Sequence, residues 1–220
     1  VKEEKIDVVY LAAGDKFKKK NFTKSQIDSF RKKYNLPEKF ALYVGDVTWN
    51  KNLSRLIEAC MKANIPLVMT GSALLNSDFD NSNPWNQDLV KVQELSERNK
   101  DIIRVGFVSD EDLVDLYNIA TVFVMPSLYE GFGLPILEAM TCGCPVVTTK
   151  EGSIPEVAGD AAFYIDAYDV GSISDGIKKV FSDSILRKKL SEKGIEQAQK
   201  FSWKKTARNT IDTYKYILER

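Results

Sequence analysis

The chain contains no histidine. That excludes a Ser-His-Asp or Cys-His catalytic centre and removes the commonest transition-metal ligand, and with them much of hydrolase chemistry. Cysteine is scarce: Cys60, Cys142 and Cys144 form an odd set whose spacings suit neither a disulfide framework nor a zinc site. The expected compartment is therefore a reducing one, the cytoplasm. Cys142-Gly143-Cys144 reads either as a redox pair or as small packing residues beside a buried strand, and packing is the expected role. Net charge is also missing, since 31 Lys and Arg balance 31 Asp and Glu. No overall field is available to hold nucleic acid or an anionic membrane, so any anionic ligand must be bound locally. No apolar run approaches the roughly 20 residues of a membrane span. The charged start Val1-Lys2-Glu3-Glu4-Lys5 is not a signal peptide. The missing initiator Met points to a processed or excised chain with sequence upstream.

What is present is the composition of a globular domain, 44% hydrophobic and 28% charged over 220 residues. Short β-branched runs at 6–11, 40–44, 67–70, 102–105, 122–125, 146–148 and 162–165 alternate with stretches of helical period, which predicts βαβ units around a parallel sheet. After Asn50, the residues Leu53, Leu56, Ile57, Cys60 and Met61 share one helical face. Ser109 is a good N-cap ahead of Leu113, Leu116, Tyr117 and Ala120. From 169 onward the chain reads as helical, with stripes through Ile173, Ile177, Val180 and Phe181, then Leu186 and Leu190, then Trp203, Ala207, Ile211, Tyr214 and Leu218. Residues 76–86, rich in Asn, Asp and Ser, read as a surface loop. The basic run Lys16, Lys18, Lys19 and Lys20 is expected to be a solvated loop, with contact to lipid head groups as the alternative.

The chemistry concentrates in Pro126-Ser127-Leu128-Tyr129-Glu130-Gly131-Phe132-Gly133-Leu134-Pro135, which follows an apolar strand and leads into a helix from about Leu134. In an open α/β sheet ligands bind beyond the carboxyl ends of the strands. Two glycines let the backbone approach a ligand, and the following helix start offers free N–H groups, a suitable place for a diphosphate. Glu130 and Glu138 beside such a site are costly unless they accept hydrogen bonds from neutral hydroxyls, as sugars provide. Taken alone, the two glutamates would be a helix N-terminal acid and a solvated one. A glycosidase acid and base is the other reading of the pair, and the α/β pattern speaks against it.

The same run, continued through Ile136-Leu137-Glu138-Ala139-Met140 and Gly143-Cys144-Pro145-Val146-Val147, closely resembles the C-terminal, donor-binding domain of family 4 retaining glycosyltransferases. The likeness extends to Gly152-Ser153-Ile154-Pro155-Glu156-Val157, Gly159-Asp160-Ala161-Ala162 and Phe201-Ser202-Trp203. Backwards it takes in Val105-Gly106-Phe107-Val108-Ser109 and Tyr43-Val44-Gly45. The resemblance implies a Rossmann-like parallel sheet flanked by helices, one half of a GT-B architecture, spanning 1–220. It would have a leading strand and helix over about 1–39, and C-terminal helices of which 200–220 pack towards an N-terminal acceptor-binding domain not included here.

The implied activity is transfer of a hexose, with retention and without a metal or other cofactor, from a UDP- or GDP-linked sugar to a polysaccharide or glycolipid. Peripheral contact with a membrane in the whole enzyme is compatible with this. On this model Glu130 meets hydroxyls of the donor sugar, Glu138 holds the ribose, and Lys51 neutralises the leaving diphosphate. Backbone groups of Gly131, Phe132, Gly133 and Leu134 meet the sugar and diphosphate, Val108 presents backbone atoms to the base, and the turn at Gly45 and Asp46 lines the donor. Similar enzymes usually carry an Arg directly after the strand-end glycine. Asp46 stands there in this chain, so the turn lacks half of the expected cationic clamp, unless Asp46 is merely a turn residue or cap.

Two rivals stay open at this point. A non-catalytic sugar-nucleotide-binding module is favoured by Asp46, and a nucleotide-sugar epimerase of similar architecture is disfavoured by the segment 130–138. Asp78-Phe79-Asp80 is spelled like a metal-binding acid pair but lacks its context, and Asn21-Phe22-Thr23 and Asn52-Leu53-Ser54 are glycosylation sequons only in a secreted protein.

Overall fold

A computed structural model describes residues 6–76 and 78–219. Six strands, β1 (Ala41–Val44), β2 (Leu67–Thr70), β3 (Ile102–Gly106), β4 (Val122–Met125), β5 (Val146–Thr148) and β6 (Ala162–Tyr164), form one sheet in the order β3-β2-β1-β4-β5-β6. Every neighbouring pair is parallel. The strands are short and apolar on both faces because both faces are covered. Phe40, Leu42, Val68, Phe123 and Met125 point into one core. Ala41, Tyr43, Leu67, Met69, Val122 and Val124 point into the other.

The first core is covered by α4 (Asp110–Ile119), α5 (Leu134–Thr141) and α6 (Ile154–Ala158), and the second by α2 (Leu53–Ala63), α3 (Gln87–Glu97) and α7 (Val170–Ser182). Outside these lie α1 (Lys24–Tyr34), α8 (Ser184–Ala198) and α9 (Trp203–Leu218). The helix starts are chemically marked. Ser109 accepts from the Asp112 amide, Asp169 from Gly171, Asp183 from Leu186 and Ser202 from Lys205. Each such cap satisfies an amide that the helix cannot, an effect of about 1 kcal/mol. Thr23 and Gln26 close a reciprocal capping box on α1.

The expected first strand is not one. Residues 6–11 run as irregular backbone outside the sheet, with Ile6, Val8 and Tyr10 exposed. The apolar, β-branched run there mimics a strand, but the segment is held by side chains rather than by a ladder. Thr206 Oγ1 on α9 donates to the Tyr10 carbonyl at 2.6 Å, the Tyr10 hydroxyl donates to Glu156 at 2.8 Å, and its ring lies 5.8 Å from that of Phe201. The helix expected in the same opening stretch is α1; residues 1–5 lie outside the described residues.

Of the basic run, Lys16 pairs with Asp110 and Lys20 with Asp115, both on α4, so half of it is tied to the domain's own surface. No helix among the described residues is long and apolar enough to cross a membrane. The third apolar stripe, on α9, is exposed at Trp203, Ile211, Tyr214 and Leu218.

All three cysteines are buried and unpaired. Burial pushes the Cys60 and Cys142 thiols up to about 12 and the Cys144 thiol higher still, so none forms a thiolate near neutral pH. In native protein none of the three should react with DTNB at a rate approaching that of the denatured chain. Rapid native labelling of Cys142 or Cys144 would restore the redox reading.

Candidate active site

Strand order reverses between β1 and β4, and the crevice at their carboxyl ends is where an open α/β sheet binds its ligand. The chain leaves β1 through Gly45, whose φ of 146° suits glycine alone. Gly71, at the end of β2, passes so close that a Cβ there would sit 2.1 Å from the Gly45 carbonyl oxygen. The polar residues at the strand ends are buried and satisfied: Thr70 Oγ1 donates to the Gly106 carbonyl, Thr148 Oγ1 to Met125 and Thr149 Oγ1 to Ser127, at 2.6–2.8 Å. The rim is therefore a fixed platform.

Lys51 ends the single 3-10 turn Trp49–Lys51 after β1, and Glu130 lies in the loop after β4. Their side chains meet. Lys51 Nζ lies 2.8 and 3.0 Å from the two Glu130 carboxylate oxygens, and Ser127 Oγ donates to one of them at 2.6 Å. Glu130 is only 9% exposed. Its carbonyl oxygen takes a bond of 3.0 Å from Ser153 Oγ, and Gly152, at φ 58°, leaves no room for a side chain against it. The Lys51 turn is held from the same side: the Leu128 amide donates to the Asn50 carbonyl at 2.7 Å and Asn50 Nδ2 donates to the Tyr129 carbonyl at 3.0 Å.

Three anchors escaped sequence reasoning. Asn52 was noted only as a sequon, yet its side-chain amide donates to the carbonyls of Pro126 and Ala167 and is buried; it ties the Lys51 turn to the ends of β4 and β6. Ser127 and Ser153 hold Glu130 from two loops. The available signal was an Asn followed at once by a helical stripe, a position that favours left-handed backbone, here φ 59°.

Beyond Glu130 the backbone opens. A Cβ on Gly131 would meet nothing within 4 Å, and Gly133 adopts φ 94° as the N-cap of α5 without any side-chain cap. Among the described residues, the amides of Gly131, Phe132, Gly133 and Leu134 donate to no protein acceptor. Uncapped amides at a helix start carry partial positive charge and suit an anion. The Phe132 ring turns away from them to pack at about 6 Å from Tyr10 and Phe201.

Glu138, one turn into α5, accepts from the Tyr117 hydroxyl at 2.9 Å. Burial raises its carboxyl above the ordinary 4.5, against the lowering effect of that bond and of Lys16, while Asp110 adds to the rise. The Tyr117 phenol is itself buried and pushed well up. Asp110 begins α4 two residues after Val108, so Glu138 and the Val108 loop share one end of the crevice. The Val108 side chain is buried, while Phe107 beside it is 81% exposed.

Asp46 caps no helix, since the N-cap position of the 3-10 turn is Thr48. The Asp46 carbonyl accepts from the buried Tyr43 hydroxyl at 2.9 Å and its carboxylate lies 3.5 Å from Ser72 Oγ. Burial, and then the charges of Glu130 and Asp46, hold the Tyr43 phenol well above its ordinary value, which keeps it a neutral donor to this turn.

A doubly wound parallel sheet with a glycine-bordered helix start and a carboxylate at its switch point is a Rossmann-like α/β domain. The sequence profile described as "Glycosyl transferases group 1" matches residues 25–197, and the chain belongs to that family. It is similar to the O-antigen chain mannosyltransferase B of Escherichia coli, 38% identical over 84% of this chain and 48% of that protein. It is also 30% identical, over its whole length, to 27% of the serotype-specific mannosyltransferase WbdA of the same organism. This chain thus spans about half or less of the curated relatives it matches.

Among solved structures, a glycosyltransferase from Rickettsia africae superposes with TM-score 0.80 at 24% identity, over all of this chain and 59% of that one. Anabaena Alr3699/HepE, solved with UDP and glucose, superposes with TM-score 0.78 at 20% identity, over 95% and 56%. These likenesses establish the fold.

The raised Glu138 carboxyl gives a signed expectation. The native state binds its proton more tightly than the unfolded chain, so this group's contribution to stability falls as pH rises through 4.5 to the raised value. Glu138→Gln keeps an acceptor for Tyr117 and removes that loss. Urea unfolding of both proteins should show the variant gaining on the parent between pH 4 and pH 7. A constant difference would mean that the carboxyl is not perturbed.

Proposed function

We propose that this chain is the donor-binding half of a retaining hexosyltransferase that takes a UDP- or GDP-linked sugar and extends a polysaccharide or glycolipid. The observation that carries this reading is the row of unbonded amides from Gly131 to Leu134 at the start of α5, on the same crevice edge as the Lys51/Glu130 pair. The amides and Lys51 supply positive charge for a diphosphate, and Glu130 supplies a carboxylate for sugar hydroxyls. Glu138, beside the Val108 loop, is the ribose acceptor. Mannose is the favoured sugar, supported by the names of the two Escherichia coli relatives.

In transfer the bond from the anomeric carbon to the diphosphate oxygen breaks and the acceptor oxygen replaces it on the same face. The hydroxyl proton leaves with the diphosphate. Charge on that leaving group is greatest in the transition state, where Lys51 and the α5 amides stabilise it without a metal ion. On this reading most of the acceptor site belongs to a second domain, and the exposed stripe of α9 is a surface such a domain would cover. The rival reading, a non-catalytic binding module, rests on Asp46. The Asp46 carboxylate lies 3.5 Å from Ser72 Oγ, a contact for this side chain that does not involve the diphosphate.

Calorimetric titration with UDP, GDP and ADP tests the reading. One of them should bind, and at about 100 times its dissociation constant it should raise stability by about 2.7 kcal/mol. Binding of none would overturn it. Glu130→Ala should weaken a nucleotide sugar more than the matching free nucleotide, whereas Glu138→Ala should weaken both, by about ten- to a hundredfold per lost charged hydrogen bond. Equal losses for both ligands in Glu130→Ala would reassign that residue. The chain alone should transfer no sugar, and robust transfer by it would refute the division of labour.

A further inference from the structure

A cavity of about 430 Å³ lies beside the switch point, lined by Thr48, Trp49, Asn50, Pro84, Trp85 and Asp88. Its size falls within the range of small-molecule sites. Two indoles dominate it, with Trp49 59% and Trp85 81% exposed. Large aromatic side chains left in water are costly unless something covers them.

Neither indole sits on a loose tip. Trp85 is the middle residue of the 3-10 turn Pro84–Asn86, where Asn83 accepts from the Trp85 amide, Asn86 Nδ2 donates to the Asp80 carbonyl at 2.9 Å, and Gln87 Nε2 donates to the Asn81 carbonyl at 2.8 Å. Trp49 rides on the turn that ends in Lys51, fixed by the bonds of Asn50 to the β4 loop. The backbone under both indoles is held, so a ligand need order only the two side chains, which favours affinity.

We propose that this cavity is a glycan subsite that receives a neutral pyranose of the acceptor chain, a reading that rests on the transferase function proposed above. A pyranose has an apolar face of C–H groups and a rim of hydroxyls. The indoles match the face; the Asp88 carboxylate, to which no described residue donates, and the Thr48 hydroxyl, which donates to Asn50 Oδ1 and keeps its lone pairs as acceptors, match the rim. The lining selects against anions, because Asp88 is its one charged side chain. A nucleotide phosphate is thereby directed to the Lys51 side of the turn, and an uncharged sugar to the Trp49 side. The single 3-10 turn thus carries a residue for each substrate, Lys51 for the donor and Trp49 for the acceptor.

The test uses the 220-residue chain with its three tryptophans labelled with nitrogen-15, the indole signals assigned by Trp→Phe variants. Titration with an α-linked mannotetraose and, separately, with maltotetraose should shift the Trp49 and Trp85 signals saturably for at least one of them and leave Trp203 still. Trp85→Ala should weaken that binding by about two- to tenfold without changing nucleotide affinity. No saturable shift with either tetraose overturns the subsite. So does a saturable shift with tetramethylammonium but neither sugar, which would make the cavity a cation site. If UDP, GDP and ADP all fail on the same sample while a tetraose binds, the donor reading falls and the subsite stands. If a nucleotide binds and neither tetraose does, the subsite alone falls.

Discussion

Lys51 and Glu130, 79 residues apart in sequence, meet as a two-pronged ion pair at the edge of the sheet where its strand order reverses. Each charge would be expensive there alone, because Glu130 is nearly buried and Lys51 mostly so. Much of the surrounding architecture serves to make the meeting possible. Asn52 ties the Lys51 turn to the ends of β4 and β6, Ser127 bonds the carboxylate, and Ser153 with Gly152 clamps the Glu130 backbone. On the function proposed above, a diphosphate would compete for the lysine while sugar hydroxyls would take the carboxylate, so the pair that neutralises itself here would divide a substrate between its members.

Charge is placed by position, since the chain as a whole has none to spare. Positive character comes from Lys51, from Lys16 near Glu138 and from uncapped amides on α5, and negative character from Glu130, Glu138 and Asp46 around them. Such a crevice holds an anion only at one point and neutral hydroxyl-bearing groups on either side. That is the polarity of a nucleoside-diphosphate sugar lying between ribose and hexose.

The six sheet strands and the α2, α4 and α7 stripes were legible because a buried parallel strand and an amphipathic helix each leave a periodic signature. Residues 6–11 carry an apolar, β-branched run without the ladder: Tyr10 is held by α9 and Phe201, and local composition cannot distinguish such a docked segment from a paired strand. The glycine-bordered run at 130–134 announced a strand-end loop leading into a helix start, whereas the contact of Lys51 with Glu130 was not legible, because nothing in the spacing of two residues on different βα loops encodes their distance. Asn52 was hidden for the same reason, its two bonds reaching 74 and 115 residues away. Trp85 lies in the stretch 76–86 read as a surface loop and Trp49 carried no signal of its own; the fold places their turns on one cavity.

The most direct measurement is the affinity of the free nucleoside diphosphate, by calorimetry, in the parent chain, Lys51→Met, Glu130→Gln and the double variant. Glu130→Gln releases the lysine and should tighten binding, Lys51→Met should weaken it, and in the double variant most of the Glu130→Gln gain should vanish, because there is no lysine left to release. If the gain persists in full without Lys51, or if Lys51→Met leaves affinity unchanged, the ion pair is not what readies this crevice for its ligand.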